Sequence, residues 1–201
     1  MTRLFDIERL TSNKENKSLI DLFSINRESS LRDLQKVVGL ESYLKMCAWE
    51  DDLSGETRIY LVKYGTDMVA YFGLKAGMIS LGRNEVFSDV ISGFTRIPSA
   101  VPGVEITHFA VNDRFREKYS DSIVPTVKLG RFIFPLMIMP IINDVAEKIG
   151  VQIIYLYAAG GDELVKYYMD EFGFEPEYEK SIMTPLKPDY DEDCIFMYKW
   201  I

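Results

Sequence analysis

One stretch, Val104 to Phe174, constrains the fold more than any other part of the chain. It reads as a strand VEITHFAV, a loop, a long amphipathic helix LGRFIFPLMIMPIINDVAEKIG, a strand VQIIYLYA and a second helix DELVKYYMDEFGF. Two apolar strands joined by a helix form a βαβ unit, which predicts a parallel pair with a right-handed crossover. Ligands of open α/β sheets sit beyond the carboxyl ends of such strands. The sequence therefore predicts a site near Phe109 to Val111 and near Gly130.

The hydrophobic periodicity supports the first of these helices. Its apolar residues recur every three or four positions, as on one face of a helix: Phe134, Met137, Ile138, Ile141, Ile142, Val145 and Ile149. Proline is tolerated in the first turn of a helix and kinks or breaks it further in. We therefore expect the regular helix to begin near Arg131 or Phe132, just before Pro135, and to kink at Pro140.

The segments before this stretch predict helices followed by a strand hairpin. RIYLVKY and DMVAYFGLKAGMISL are rich in β-branched and aromatic residues, and Gly65-Thr66 between them predicts an antiparallel turn. The other N-terminal predictions, in chain order, are a strand over Leu4 to Leu10, a helix from about Ser12 to Phe23, a second helix after Ser29 or Ser30 that Gly39 could break, and a solvated acidic loop over Glu50 to Glu56.

The remaining segments are predicted to be a long loop and two closing strands. Arg83 to Pro102 is expected to be a loop with one helical turn around Val86 to Ile91, because Ser, Gly, Pro and Asn are spread through it. The second helix should end at Gly173. Glu175 to Lys180 and Cys194 to Trp200 then predict two strands around a polar loop.

The composition limits the classes of protein that this chain can be. With 201 residues, 47% of them hydrophobic, we expect a single domain over residues 1–201. A formal net charge of -8 argues against broad attraction to nucleic acid or to an anionic membrane. Two cysteines, Cys47 and Cys194, predict free thiols in a reducing compartment. The N-terminus has no signal-like apolar segment, and the apolar run Phe132 to Ile142 is too short to span a bilayer, so we expect a cytoplasmic protein.

Several motifs together resemble the GNAT superfamily of acyl-CoA-dependent N-acyltransferases. They are ITHFAVNDRFR, LGRFIF, AEKIGVQIIYLYA and FGFEP, and the resemblance covers the chain from about Leu31 to its end. It implies an α/β fold with a mixed central sheet, a splayed parallel strand pair and flanking helices. LESYLKMCAWED before the hairpin and the IGVQ and FGFEP ending look like the toxin-type branch, whose members acetylate aminoacyl-tRNA.

The resemblance implies acetyl-CoA as co-substrate. In the family, backbone groups at the end of the fourth strand pair with the pantetheine arm, which corresponds here to Phe109, Ala110 and Val111. The pyrophosphate lies on backbone N–H groups at the start of the next helix, where the helix dipole favours anions. No metal is implied, and one histidine with two distant cysteines makes no metal site.

The phosphate-binding motif of the family is interrupted in this chain. That motif begins with Arg or Gln and continues x-x-G-x-G/A. Arg116 takes the first place, residues from Glu117 to about Val127 look inserted, and the motif resumes as Lys128, Leu129, Gly130, Arg131 and Phe132. In one register Lys128 replaces the first glycine, and in the other Phe132 replaces the second. Either register loses one glycine, and Lys128 and Arg131 are candidate phosphate ligands in compensation.

Two side chains are candidates for catalysis. N-acyl transfer needs a neutral amine, whose reference pKa is about 10.4, so a base must remove a proton. Glu105 opens its strand where histone-acetyltransferase-like members carry a glutamate base; the alternative is a solvated glutamate. The family tyrosine that protonates the leaving thiolate falls at Met169, which makes the neighbouring Tyr168 a candidate, with core packing as its alternative. His108 is interpreted as a structural residue.

Three functions therefore remain open on the sequence alone. The first is an N-acetyltransferase that moves an acetyl group from acetyl-CoA to a primary amine by direct attack in a ternary complex, with a small molecule or another amine as acceptor. The second is a toxin-type enzyme that acetylates aminoacyl-tRNA, the one nucleic acid expected as partner. The third is a degenerate module that binds acyl-CoA or a protein without catalysis. No membrane partner is expected, and a homodimer is left open.

Overall fold

The computed structural model describes residues 4–25, 31–80, 90–91, 94–95, 100–119, 129–159, 161–177 and 194–201. Its helices are α1 (Asn16–Asp21), α2 (Leu31–Met46), α3 (Ala48–Ser54), α4 (Asp113–Tyr119), α5 (Leu129–Ile133), α6 (Met139–Lys148) and α7 (Asp162–Phe172). Its strands are β1 (Asp6–Arg9), β2 (Arg58–Tyr64), β3 (Asp67–Ser80), β4 (Val90–Ile91), β5 (Phe94–Thr95), β6 (Ala100–Val111), β7 (Ile153–Ala158), β8 (Glu175–Glu177) and β9 (Ile195–Trp200).

The predicted mixed α/β sheet is confirmed. Seven strands run in the order β1-β2-β3-β6-β7-β9-β8, and β4 pairs with β5 in a separate antiparallel hairpin. Strands β1, β2 and β3 are antiparallel, as are β7, β9 and β8. The parallel pair joins β6 to β7, with Gly103, Val104 and Glu105 opposite Ile153, Ile154 and Tyr155.

The chain divides into two compact units. Unit 1 combines Met1–Lys75 with Ile106–Asn143, and unit 2 combines Ala76–Glu105 with Asp144–Ile201. The single domain expected from the sequence stays a prediction.

Unit 1 has a core in which helices pack on a sheet face. Its buried side chains come from β2, β3, the end of β6 and the N-terminal helices: Leu10, Ile20, Phe23, Leu44, Ala48, Ile59, Leu61, Met68, Tyr71 and Ala110. The hairpin was predictable because both strands are rich in β-branched and aromatic residues and a short glycine-containing link joins them. The turn of that hairpin contains Gly65 at φ 57°, a conformation that glycine adopts at little cost.

Unit 2 has a smaller core that is rich in aromatic side chains. Ile79, Val101, Ile153, Tyr155 and Phe196 are buried together, and the half-buried rings of Tyr157 and Tyr198 pack against them. Helix α7 ends as predicted at Gly173, with φ 69°. There the N–H of Phe174 donates to the carbonyl of Tyr168 and the N–H of Gly173 to that of Met169, which is the Schellman arrangement.

Several local predictions are wrong. Glu50 to Glu56 is not a solvated loop, because helix α3 occupies most of it and the Asp52 side chain is buried. Strand β6 begins at Ala100 rather than Val104, and the segment before it holds the β4–β5 hairpin; residues 81–89 lie outside the described residues. Gly39 does not interrupt α2, and α4 stands where a loop was expected after Val111.

The long helix also begins earlier than predicted, and Pro135 lies in a widely wound stretch inside it. It is continuous from Leu129 to Lys148 and contains a π-helical stretch at Phe134–Ile138. In that stretch the N–H of Met139 donates to the carbonyl of Phe134, five residues back. Proline has no N–H to give to an ordinary helical bond. The wider winding therefore accommodates Pro135 inside the helix.

The same helix is long and apolar enough, by length and composition alone, to cross a membrane. Core helices of soluble proteins satisfy the same criterion. Here one face is buried in unit 1, through Ile133, Phe134, Met137, Ile138 and Ile142.

Candidate functional site

The end of β6 is held in place by one buried amide, Asn112. Its Nδ2 donates to the carbonyl of Met68 at 2.8 Å, and its backbone N–H donates to the carbonyl of Val69 at 2.8 Å. Its Oδ1 accepts from the backbone N–H groups of Ser24 and Arg114, each at 3.2 Å. These bonds fix the residue directly after Val111. They therefore fix the position at which the predicted cofactor strand ends.

The predicted cofactor residues on this strand differ in exposure. Ala110 is 7% exposed and belongs to the core of unit 1, whereas Phe109 and Val111 are half-buried. The ring of Phe109 lies 6.5 Å from the ring of Phe134 in the long helix. The structure thus joins the strand end and the helix within unit 1.

The start of the long helix packs against an aromatic cluster of Phe5, Tyr64, Phe115, Tyr119 and Phe132. The ring of Phe5 makes edge contacts with those of Phe132, Phe115 and Tyr64 at centroid distances of 5.9, 6.4 and 6.1 Å. Tyr119 in α4 completes the cluster at 5.4 Å from Tyr64. The cluster therefore anchors α4 and the helix start to the same part of unit 1.

Within the helix start, the interrupted motif divides into buried and exposed residues. Leu129 and Gly130 are buried, whereas Arg131 and Phe132 are exposed, with Phe132 at 37%. Lys128 lies outside the described residues. Arg131 is thus exposed in the first turn of the helix, and its role as a phosphate ligand stays a prediction.

Two of the basic side chains nearest to this motif are already engaged with carboxylates. Arg116 is exposed in the middle of α4, where its Nη1 lies 3.0 Å from Oδ1 of Asp113. Lys118 Nζ lies 2.7 Å from Oδ2 of Asp67. These two ion pairs reduce the positive charge that α4 presents to a polyanion such as tRNA.

Glu105, the predicted base, is not a solvated residue at a strand start. It lies in the middle of β6 and is 8% exposed, opposite Tyr155 in the parallel register of unit 2. The solvated alternative is wrong because β6 extends back to Ala100. A carboxylate inside an apolar core costs free energy unless its oxygens are hydrogen-bonded, so its burial calls for an explanation.

Tyr168, the other catalytic candidate, is a core side chain of unit 2. It is 8% exposed, and its ring packs against Tyr167, Phe172 and Phe174 at 5.9, 6.0 and 5.7 Å. Burial raises the pKa of its hydroxyl, with a smaller contribution from Tyr167. Both observations favour packing, whereas Met169 is 42% exposed. The catalytic role of Tyr168 stays a prediction.

His108 belongs to a network that the sequence did not reveal. Its ring stacks on Tyr43 of α2 at 3.7 Å and 8°, and its Nδ1 lies 2.9 Å from Oγ1 of Thr107. The Tyr43 hydroxyl donates to Oδ2 of Asp51 at 2.8 Å. Burial lowers the pKa of His108 to about 4, so the ring is neutral near pH 7. Tyr43 precedes His108 by 65 positions in the sequence, so no local pattern could pair the two residues.

The part of the chain that the structure describes holds no group of three His, Cys, Asp or Glu residues that could bind a metal ion. Cys47 is an exposed free thiol, and Cys194 is a half-buried one.

Comparison with known proteins gives matches in structure. No protein-family model and no curated protein matches the chain. The crystal structure of a tyrosine-to-phenylalanine mutant of KacT matches with a TM-score of 0.63 and 14% identity, over 98% of this chain and 95% of that chain. A structure of a mutant AtaT toxin bound to the C-terminus of the antitoxin AtaR and acetyl-CoA matches with a TM-score of 0.57 and 13% identity, over 98% and 94%.

A third match is AtaT complexed with acetyl-methionyl-tRNAfMet, with a TM-score of 0.58 and 14% identity, over 96% of this chain and 93% of that chain. At identities this low, the structural similarity supports a shared fold alone. The mixed sheet, its parallel pair and the flanking helices agree with these structures, so the chain has the GNAT-like fold that the sequence motifs implied.

Proposed function

We propose that this chain is an acyl-CoA-dependent N-acetyltransferase that uses acetyl-CoA and a primary amine. The observation that carries the proposal lies in unit 1. The strand end Phe109 to Val111, fixed by Asn112, and the helix that begins at Leu129 are held in one unit through the contact between Phe109 and Phe134. A strand end and a helix N-terminus supply the backbone groups that a pantetheine arm and a pyrophosphate need.

Five of the predicted site residues have a stated role in this proposal: Ala110, Val111, Arg131, Glu105 and Tyr168. Acetyl-CoA supplies an activated acetyl thioester. Backbone N–H groups near Ala110 and Val111 polarise its carbonyl, and Arg131 with the helix N-terminus neutralises the pyrophosphate. Glu105 accepts the proton of the attacking amine, directly or through water. The amine nitrogen forms a bond to the acetyl carbon, the carbon–sulfur bond breaks, and Tyr168 or water protonates the thiolate.

A second candidate is the acetylation of aminoacyl-tRNA. It is favoured by the likeness to AtaT complexed with acetyl-methionyl-tRNAfMet. The net charge of -8 and the ion pairs of Arg116 and Lys118 count against it. The third reading, a binding module without catalysis, is supported by the interrupted glycine motif and by Met169 at the place of the family tyrosine.

Calorimetric titration with CoA tests the proposal. We expect binding in the micromolar to sub-millimolar range, together with a rise in the thermal unfolding midpoint, because a ligand that binds the folded state alone stabilises it. The absence of both heat and a thermal shift at millimolar CoA would overturn the enzyme and acyl-CoA-binding readings together.

A further inference from the structure

In unit 2 a tyrosine lies beside the buried carboxylate of Glu105. Glu105 and Tyr155 are direct partners in the parallel register of β6 and β7, and they are 8% and 5% exposed. The Tyr155 hydroxyl lies close enough to the Glu105 side chain for a hydrogen bond between them to contribute to the raised pKa of that hydroxyl. Two polar groups are therefore buried side by side next to an apolar cluster. A hydrogen bond between them lowers the free-energy cost of burying each one.

The neighbouring strands lack side chains where the tyrosine lies. A Cβ added at Gly103 of β6 would stand 3.2 Å from Cδ1 of Tyr155, and one added at Gly77 of β3 would stand 1.8 Å from its hydroxyl oxygen. Only a residue without a side chain leaves this space at Gly77. The Tyr155 ring thus occupies space that side chains at positions 103 and 77 would fill. The two glycines therefore determine where the hydroxyl lies.

The surroundings keep Tyr155 a hydrogen-bond donor. Burial raises the pKa of its hydroxyl, and the charges of Glu105 and Tyr157 raise it further. The other titratable group that packs on the cluster from β9 is Tyr198, whose hydroxyl donates to Oε2 of Glu175 at 3.3 Å. At neutral pH the Tyr155 hydroxyl therefore retains the proton that it offers to Glu105.

We propose that Tyr155 is a positioning residue for Glu105, with its ring beside Gly103, its hydroxyl over Gly77 and that hydroxyl donating to the carboxylate. The inference rests on the proposed function, in which Glu105 is the base. A hydrogen bond to the charged form of a buried carboxyl favours that form. Tyr155 thus keeps Glu105 ionised and directs the remaining lone pairs of the carboxylate, so that it can accept a proton from the amine or from a bridging water.

Tyr155→Phe removes the hydroxyl and keeps the ring. We expect two shifts of about 1 pH unit to higher pH, because a hydrogen bond to a charged group has roughly that effect on an ionisation. One is in the titration midpoint of the Glu105 side-chain carboxyl, followed by ¹³C NMR and assigned with Glu105→Gln. The other is in the acid limb of the kcat/KM profile, while kcat/KM on the plateau stays close to that of the parent.

Tyr157→Phe is the matched control, because Tyr157 lies on the same strand and packs on the same cluster. It should leave both midpoints at the parental values. Gly77→Ala, whose methyl group would displace the Tyr155 hydroxyl, should move both midpoints in the same direction as Tyr155→Phe.

The outcomes separate this inference from the proposed function. Equal carboxyl midpoints in the parent and in Tyr155→Phe would overturn the positioning role, whatever the activity. A parent that transfers no acetyl group would overturn the proposed function, and the positioning role with it. A shifted carboxyl midpoint with an unshifted acid limb would show that Glu105 is not the base that Tyr155 serves.

Discussion

Two buried carboxylates, Asp52 in unit 1 and Glu105 in unit 2, lie in opposite kinds of surroundings. Asp52 is held by Arg9, whose Nε lies 3.0 and 3.1 Å from its two oxygens, and by the N–H groups of Thr11 and Ile59 at 2.9 and 3.2 Å. The guanidinium of Arg58 lies 3.9 Å from Oδ1. Glu105 instead lies opposite Tyr155, whose ring belongs to the aromatic-rich core of unit 2.

The difference indicates which of the two carboxylates is suited to chemistry. Burial raises the pKa of Asp52, but the hydrogen bonds from Thr11, Arg9 and Ile59 outweigh it, so that its pKa is lowered. A carboxylate with this many donors is a poor base, because its lone pairs are already engaged. Asp52 joins β1, α3 and β2, whereas Glu105 is buried opposite a tyrosine of unit 2. The comparison predicts that one residue supports stability and the other supports turnover.

Substitution of Glu105 should give the largest effect on activity. Glu105→Gln is expected to lower acetyl transfer by about 10²- to 10⁴-fold near pH 7, the usual scale for the loss of a general base. CoA affinity should stay nearly unchanged, because the proposed cofactor contacts are backbone groups further along β6. Part of the rate should return at higher pH, where the amine loses its proton unaided. Full activity in this variant would make Glu105 a structural carboxylate like Asp52.

Substitution of Asp52 should give the largest effect on stability. Asp52→Ala leaves two buried N–H groups without their acceptor and removes the partner of Arg9, so we expect a loss of about 3 kcal/mol or more in the free energy of unfolding. Urea denaturation measures it. The surface control is Asp144→Ala, which removes an exposed pair with Lys148 and should cost less than about 0.5 kcal/mol. Similar losses in the two variants would contradict the structural role given to Asp52.

The chain's single histidine should make stability depend on pH in a defined window. The pKa of His108 is lowered from 6.5 to about 4 in the folded state. As the pH falls, the imidazole is therefore protonated in the unfolded chain before it is protonated in the folded protein. The free energy of unfolding therefore has its full value above about pH 6.5 and falls as the pH drops towards 4, by on the order of 3 kcal/mol in total. His108→Phe, which keeps a ring against Tyr43, should remove this dependence. Because the pKa of Asp52 is lowered, the stability that this carboxylate contributes is lost only at a pH below this window.

A smaller effect is expected at the proposed phosphate site. Arg131→Glu places a negative charge beside the helix N-terminus and should weaken CoA binding about tenfold, since it replaces an attraction by a repulsion. Lys14→Glu, an exposed residue near the N-terminus, makes the same charge change in another part of unit 1. Equal CoA affinities in the two variants, measured by calorimetry, would mean that the phosphate site is misplaced.

Much of the fold could be predicted from the sequence because its signals are local. The β-branched and aromatic residues of β2 and β3, the apolar run of β7 and Gly173 at the end of α7 all act within a few residues. The motifs around Phe109 and Gly130 likewise indicated the strand end and the helix start.

The features that were missed depend on partners far apart in sequence. The acidic stretch around Asp52 resembles a solvated loop until Arg9, 43 positions away, is placed beside it. The burial of Glu105 depends on Tyr155 and on the space left at Gly77, and the stacking of His108 depends on Tyr43. The π-helical stretch around Pro135 was missed because a rule that places proline in the first turn ignores the wider winding.

The most direct test of the central claim is a transfer assay with the purified chain, acetyl-CoA and a panel of polyamines, amino acids, peptides and aminoacyl-tRNA. Free thiol release and the acetylated product are measured together, with Glu105→Gln as the matched control. The proposed function predicts stoichiometric thiol and acetylated amine in the parent and a rate at least about 10²-fold lower in the control. Tight CoA binding without transfer to any acceptor would contradict it and would favour the binding module.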